Sequence, residues 1–181
     1  MKRYFLLAVV LALPSFAFSQ AIPFEQKGPV GSFTASASYI YGEAQSGNDY
    51  NLIGWTATPE LNLVKHFGLQ ADFSSYYMQS VYPGQSRLIM TAGPRYNLKP
   101  RSRISPYIFG EGGETRLSFQ RTLFIDWEPT ARAGIGLDYR VSRGIALTLI
   151  PGEFIGHENL NGAAWSEDYG ARAGITFNLF H

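Results

Sequence analysis

Eight ionisable side chains, Glu60, Asp72, Arg87, Arg95, Glu111, Arg132, Asp138 and Arg172, stand on the polar phase of segments that alternate apolar with polar residues. Four are carboxylates and four are guanidiniums, so on a shared interior face their charges balance. An isolated charge removed from water costs roughly several kcal/mol unless it is paired and hydrogen-bonded. A guanidinium presents a planar fork of N–H donors that matches a carboxylate in two parallel bonds. The pattern predicts a network of bidentate Arg–carboxylate pairs, with Gly93, Gly134, Gly136 and Gly174 leaving room for the long side chains. Such a network is either an ion gate or the polar filling of a tube, and filling is the preferred reading.

Two other motifs carry less chemistry. His157-Glu158-Asn159-Leu160-Asn161 begins like a zinc-protease motif, but it has no second His and reads as loop rather than helix. Gly110-Glu111-Gly112-Gly113-Glu114 is glycine-rich, yet it precedes no helix and carries no Lys, so it is not a phosphate loop. No metal site, cofactor or catalytic residue is expected from these motifs. Acidic loops could share divalent cations with lipid phosphates, although solvated acids in loops are the commoner case.

The elements that must position the charges are strands. In the last segment Tyr169, Ala171, Ala173, Ile175, Phe177 and Leu179 form one face, while Gly170, Arg172, Gly174, Thr176 and Asn178 form the other. A period of two signals a strand, and an Arg on the second face excludes burial against apolar layers on both sides. Seven further segments are read as strands: about 33–41, 52–64, 69–78, 87–98, 104–113, 127–139 and 145–154. The Gly-ended connection Lys65-His66-Phe67-Gly68 reads as a tight hairpin turn. Connections alternate short and long. Lys65, Lys99, Arg101, Arg103, Arg140 and Arg143 fall on the short side, and Glu43, Asp49, Glu114, Asp126, Glu158, Glu167 and Asp168 mostly on the long side.

Residues 1–19 read as a secretory signal: Lys2 and Arg3, an apolar stretch from Tyr4 to Leu13, a break at Pro14, then Ala17 and Ser19 before a cut at Gln20. Residues 20–181 then form one domain, with 20–31 as an extended lead-in. The chain has no Cys, so neither acylation at Cys nor a disulfide is available. With 15 Lys and Arg against 14 Asp and Glu, there is no charge excess to attract nucleic acid. No stretch after the signal is apolar over the ~20 residues a spanning helix needs, but barrel strands are patterned in dyads and only weakly hydrophobic. Eight strands behind a secretory signal predict an all-β, eight-stranded antiparallel up-and-down transmembrane barrel, apolar toward lipid and polar toward its lumen.

Short turns on one side predict that both termini are periplasmic. Tyr39, Tyr41, Trp55, Tyr77, Trp127 and Tyr169 are expected at the outer border, and Phe67, Tyr96, Tyr139 and Phe177 at the inner one, as two aromatic girdles. A soluble periplasmic barrel would instead use these aromatics as its core. Pro59, Pro94, Pro106, Pro129 and Pro151 all fall inside the strand segments, where the missing N–H demands a bulge or a strand end. Pro106, Pro129 and Pro151 fit rims; Pro59 and Pro94 do not.

The segments Pro106-Tyr107-Ile108-Phe109-Gly110-Glu111-Gly112-Gly113, Ala133-Gly134-Ile135-Gly136-Leu137-Asp138-Tyr139 and Arg172-Ala173-Gly174-Ile175-Thr176-Phe177-Asn178-Leu179-Phe180 resemble the small eight-stranded outer-membrane barrels of Gram-negative bacteria, the OmpA-like and OmpX-like porin superfamily, over residues 30–181. The resemblance covers the barrel alone, because no peptidoglycan-binding domain follows. It implies a monomer in the outer membrane, surrounded by lipid and lipopolysaccharide and delivered by the outer-membrane assembly machinery. Phe177, Leu179 and Phe180 would be the assembly signal, with His181 following the usual terminal aromatic. A structural or surface-interaction role is the reading adopted, not an enzyme; a narrow gated pore is the first alternative. The second alternative follows from a resemblance to barrel lipid A deacylases: His157 as base, Ser166 as nucleophile and Glu167 or Asp168 as orienter. Asn159 stands where that arrangement expects Ser.

Overall fold

A computed structural model of the chain describes residues 31–43, 49–78, 86–100, 102–118, 125–158 and 165–179. The signal segment, Phe180 and His181 lie outside the described residues. The elements are β1 (Gly31–Glu43), β2 (Asp49–Asn62), β3 (Phe67–Met78), β4 (Ser86–Asn97), β5 (Ile104–Ser118), β6 (Ile125–Arg140), β7 (Ile145–Glu158) and β8 (Trp165–Asn178). Each pairs antiparallel with the next, and β1 pairs with β8 from Ser32↔Asn178 to Gly42↔Asp168, closing the barrel. Closure removes the unpaired edges that an open sheet would present.

Alternation decides what each side meets. On β1 Ser32, Thr34, Ser36 and Ser38 are buried inside, while Phe33, Tyr39 and Tyr41 project outward. The outer surface carries an exposed band of large apolar side chains on every strand, among them Ile53, Phe73, Ile108, Ile135, Leu147, Leu149 and Ile175. A band of that extent is not found on a water-soluble monomer, and it matches the lipid-facing belt of a membrane barrel. Outer-face aromatics include Tyr39, Tyr41, Trp55, Tyr77, Trp127 and Tyr169 toward the long-connection end, and Phe67, Tyr96 and Phe177 toward the other. Tyr139 is half-buried beneath Arg103, whose Cζ lies 5.1 Å from the ring centre.

Strands β5 to β8 run farther toward the long-connection end than expected, bringing Glu114–Ser118, Ile155–Glu158 and Trp165–Asp168 into the ladder. The first short turn is Leu63–His66, not Lys65–Gly68. Leu63 N and Val64 N both donate to Phe67 O at 3.0 Å, and Gly68 already belongs to β3. The Val141–Gly144 turn repeats this pattern, with Val141 N and Ser142 N donating to Ile145 O at 3.0 Å.

The prolines resolve in two ways. Pro59 and Pro94 lie well inside β2 and β4, facing outward. Their strands keep register on both sides, and the missing N–H leaves only a local gap in the ladder, at Thr58–Pro59 toward β3 and at Gly93–Pro94 toward β5. Pro151, by contrast, does not sit at a rim. It lies mid-strand in a β-bulge: Ile150↔Arg172 is followed by Glu153↔Gly170, so three steps on β7 oppose two on β8. The same slip occurs toward β6, where Leu137↔Leu149 gives way to Ile135↔Gly152. An extra residue in a period-two element inverts the faces beyond it. Ala146, Thr148 and Ile150 point inward before the bulge; Glu153, Ile155 and His157 do so after it.

Candidate functional site

The lumen is filled by side chains in successive layers. At the short-turn end Arg95 reaches two carboxylates, Glu60 at 2.8 Å and Asp138. Ser32 donates to Glu60 at 3.2 Å, Thr148 donates to Asp138 at 2.7 Å, and Arg95 Nε donates to Asn97 at 3.0 Å. Arg95 Cζ lies over the Tyr107 ring, 3.5 Å from its centre, a cation–π contact in a desolvated setting. This cluster opens into a polar vestibule bordered by Lys65, Asn97 and Arg140.

Tyr107, Phe109 and Ile150 form an apolar layer above it. Glycines make that layer possible: a Cβ at Gly136 would meet the Tyr107 ring, and one at Gly134 would stand 2.8 Å from the Phe109 ring. Gly93 and Gly174 serve another purpose than the one expected, since the close approach there is to backbone, of Gly110 and Ala35 respectively.

The middle of the barrel holds a closed ring of four ion pairs. Arg132 contacts Asp72 at 3.2 Å and Glu153 at 2.8 Å; Arg172 contacts the same two carboxylates at 2.6 and 2.8 Å. All four side chains are essentially inaccessible to solvent. Each guanidinium bridges two carboxylates, which corrects the expectation of bidentate pairs. Thr58 also donates to Asp72, and Arg132 donates to Ser74 at 3.1 Å and to Tyr76 Oη at 3.0 Å. Glu111 stands beside the ring with neutral partners: Gln70 donates at 2.7 Å and Thr91 at 2.6 Å.

Beyond the ring, Ile40, Leu52, Tyr76, Ile89 and Ile155 pack into an apolar plug in which four of the five are 0 % exposed. Tyr76 joins it to the ring through Arg132, and Tyr50 packs on its other side. Tyr50 in turn donates to Asp168, which also pairs with Arg87. His157 completes this outer cluster, with Nε2 3.4 Å from Arg87 and 3.9 Å from Glu128, and Nδ1 3.7 Å from Asp168.

All eight predicted charges face the interior; seven are buried, and the Asp138 side chain is 17 % exposed. They form not one network but four parts: Glu60, Asp138 and Arg95; Asp72, Arg132 and Arg172; Glu111, held by Gln70 and Thr91; and Arg87 at the outer end. Three acids missed by the sequence reading join them. Asp168 and Glu128 are buried in the lumen rather than in an outer loop or outside the count, and Glu153 closes the central ring. Among the described residues seven carboxylates therefore face four guanidiniums in the lumen, which corrects the expected balance. Asp168 shares the phase of Arg172, so a longer last strand would have revealed it; Glu128 lies inside the expected 127–139 segment, in phase with Arg132, and was passed over there. Glu153 lies out of phase with Ala146, Thr148 and Ile150, and only the Pro151-Gly152 pair signals the inversion.

His157 lies on β7, not in a loop, and is buried facing the lumen opposite Ser166. Of the other residues in the expected deacylase arrangement, Asp168 is buried beside His157 and Glu167 is exposed. Among the described residues no group of His, Asp and Glu is arranged to hold a metal. Phe177 and Leu179 of the expected assembly signal project outward.

No protein-family model matches the chain, and no curated protein matches it. Solved structures do. The crystal structure of Neisserial surface protein A is similar with a TM-score of 0.70 at 13 % identity, covering 82 % of this chain and 97 % of that one. Ail, the attachment invasion locus protein of Yersinia pestis, gives 0.53 at 13 % identity over 81 % of this chain and 96 % of its own. The N-terminal barrel domain of Pseudomonas aeruginosa OprF gives 0.50 at 14 % identity over 82 % and 97 %. The chain has the fold of the small eight-stranded outer-membrane barrels.

Proposed function

We propose that this chain is a monomeric, plugged barrel of a Gram-negative outer membrane, secreted by the signal at residues 1–19 and inserted with its short turns and both termini in the periplasm. Its role is structural or surface-interacting, through lipid and lipopolysaccharide around the wall and partners at the long connections. The observation that carries this reading is the sequence of layers in the lumen. A solvated path along the axis would have to cross the apolar plug of Ile40, Leu52, Tyr76, Ile89 and Ile155 and then the four-pair ring.

The long-connection end favours some partners over others. Its described outer residues include the exposed acids Asp49, Glu114 and Glu167, against one half-buried cation, Arg116. Ail has been crystallised with the heparin analogue sucrose octasulfate. A polyanion of that kind is disfavoured here by charge, and a neutral or cationic partner is favoured.

Planar-bilayer recording of the folded, detergent-purified protein tests the plug, in parallel with a Glu111→Ala variant. Silence from both, with insertion shown by the heat-dependent gel shift of a folded barrel, is the expected result. Discrete openings that the substitution enlarges would instead make the lumen a gated pore.

A further inference from the structure

The two ends of the barrel carry opposite exposed charge, and the short-turn end has the cleaner signature. Among the described residues its three turns and their flanks hold Lys65, Lys99, Arg103, Arg140 and Arg143 and no exposed acid. Lys65, Lys99, Arg103 and Arg143 are exposed; Arg140 is half-buried and donates to Pro100 O at 3.3 Å. The acids near this end, Glu60 and Asp138, point into the lumen and are engaged by Arg95. Charges placed wherever chain meets water would mix signs, as surfaces of soluble domains do. Here the mixing is missing at this end, and Asp49 and Glu167 stand exposed at the other.

A second feature identifies the partner. Each cation has an apolar neighbour in the same turn: Val64, Leu98, Ile104 and Val141 are 48 to 56 % exposed. A turn hanging in water would leave these side chains unburied at a cost of ~25 cal/mol per Å². A turn seated at the membrane border buries them among acyl chains, while Lys and Arg reach up to the phosphates on flexible stems. The exposed aromatics Phe67, Tyr96 and Phe177 lie on the same margin, where amphipathic rings mark the headgroup level.

We infer that the short-turn end is a basic collar that binds the phosphate headgroups of anionic phospholipid in the adjoining leaflet. The inference rests on the membrane reading above. It adds a lipid preference that the fold does not require, since a neutral rim would insert equally well. A cation near an anionic leaflet favours it by ~5-fold in local lipid occupancy, so three or four together select anionic over zwitterionic lipid.

The test reconstitutes the full mature chain in nanodiscs of equal phosphatidylglycerol and phosphatidylcholine, strips bulk lipid with mild detergent, and measures the retained lipids by mass spectrometry. The wild type is expected to retain phosphatidylglycerol over phosphatidylcholine by ~5-fold or more. K65Q/K99Q/R143Q should lose most of that preference while keeping its heat-dependent gel shift; this variant leaves Arg103 on Tyr139. Equal retention by the wild type overturns the collar, as does a preference that survives undiminished in the variant. Loss of the preference when inorganic phosphate is added at the same concentration as lipid headgroup would make this a free-phosphate site and overturn the lipid assignment. Failure of the wild type to enter nanodiscs at all would instead strike the membrane reading itself.

Discussion

The central ring and the short-turn cluster are built from the same groups, yet they stand in different relations to water. In the ring two guanidiniums and two carboxylates close on one another, with the apolar plug on one side and Phe109 under Arg172 on the other. In the cluster one guanidinium serves two carboxylates, and the vestibule admits solvent to Asp138. A charge that loses its partner in the ring stays buried; one that loses its partner in the cluster can be hydrated again. Burial of the partner left behind therefore decides what an ion pair is worth here, more than the distance across the pair.

The largest effect should come from reversing the charge that completes the ring. Glu153→Lys puts a third cation against Arg132 and Arg172 and leaves Asp72 as the one carboxylate those two guanidiniums share. The substitution is expected to abolish the heat-modifiable folded form, scored by gel shift after refolding. A normal yield of folded barrel would mean that Glu153 does not close the ring.

Next is the contrast between Arg132→Ala and Arg95→Ala. The first leaves the buried carboxylates of Asp72 and Glu153 to Arg172 alone, one charge short, and is expected to cost about 3–5 kcal/mol. The second leaves Glu60 and Asp138 beside the vestibule and is expected to cost about 1–3 kcal/mol. Urea unfolding in lipid vesicles reads both, and equal losses would erase the distinction drawn between the two regions. The smallest effect is assigned to Glu111→Gln. Glu111 accepts from Gln70 and Thr91, without a cation of its own. An amide keeps an acceptor for Gln70, and the Thr91 hydroxyl can rotate, so the change is expected to be under about 1 kcal/mol. A loss as large as that of Arg132→Ala would place Glu111 inside the ring's electrostatics.

Much of this was legible along the chain. Alternation alone identified eight strands, and it assigned Glu60, Asp72, Arg87, Arg95, Glu111, Arg132, Asp138 and Arg172 to the interior, where all eight lie. What escaped falls into two physical kinds. Asp168 and His157 were lost through strand ends, because the outer parts of β7 and β8 read as loop, while Glu128 lay within the 127–139 segment on the phase of Arg132 and was not counted. Glu153 was lost through phase, because one extra residue in a period-two element changes sides without changing composition.

By itself the sequence determined the period of two, the polar phase that holds the arginines, the apolar phase that meets lipid, and the short and long connections that order the strands. These are local properties, expressed by residues one or two positions apart. The tertiary structure alone decided which charge meets which. Asp72 and Arg172 are a hundred positions apart in the chain, and they touch because closure and strand stagger carry β3 and β8 to opposite walls of one narrow tube. The Pro151 bulge then decides that Glu153, the ring's second carboxylate, faces inward, and with it whether the ring closes.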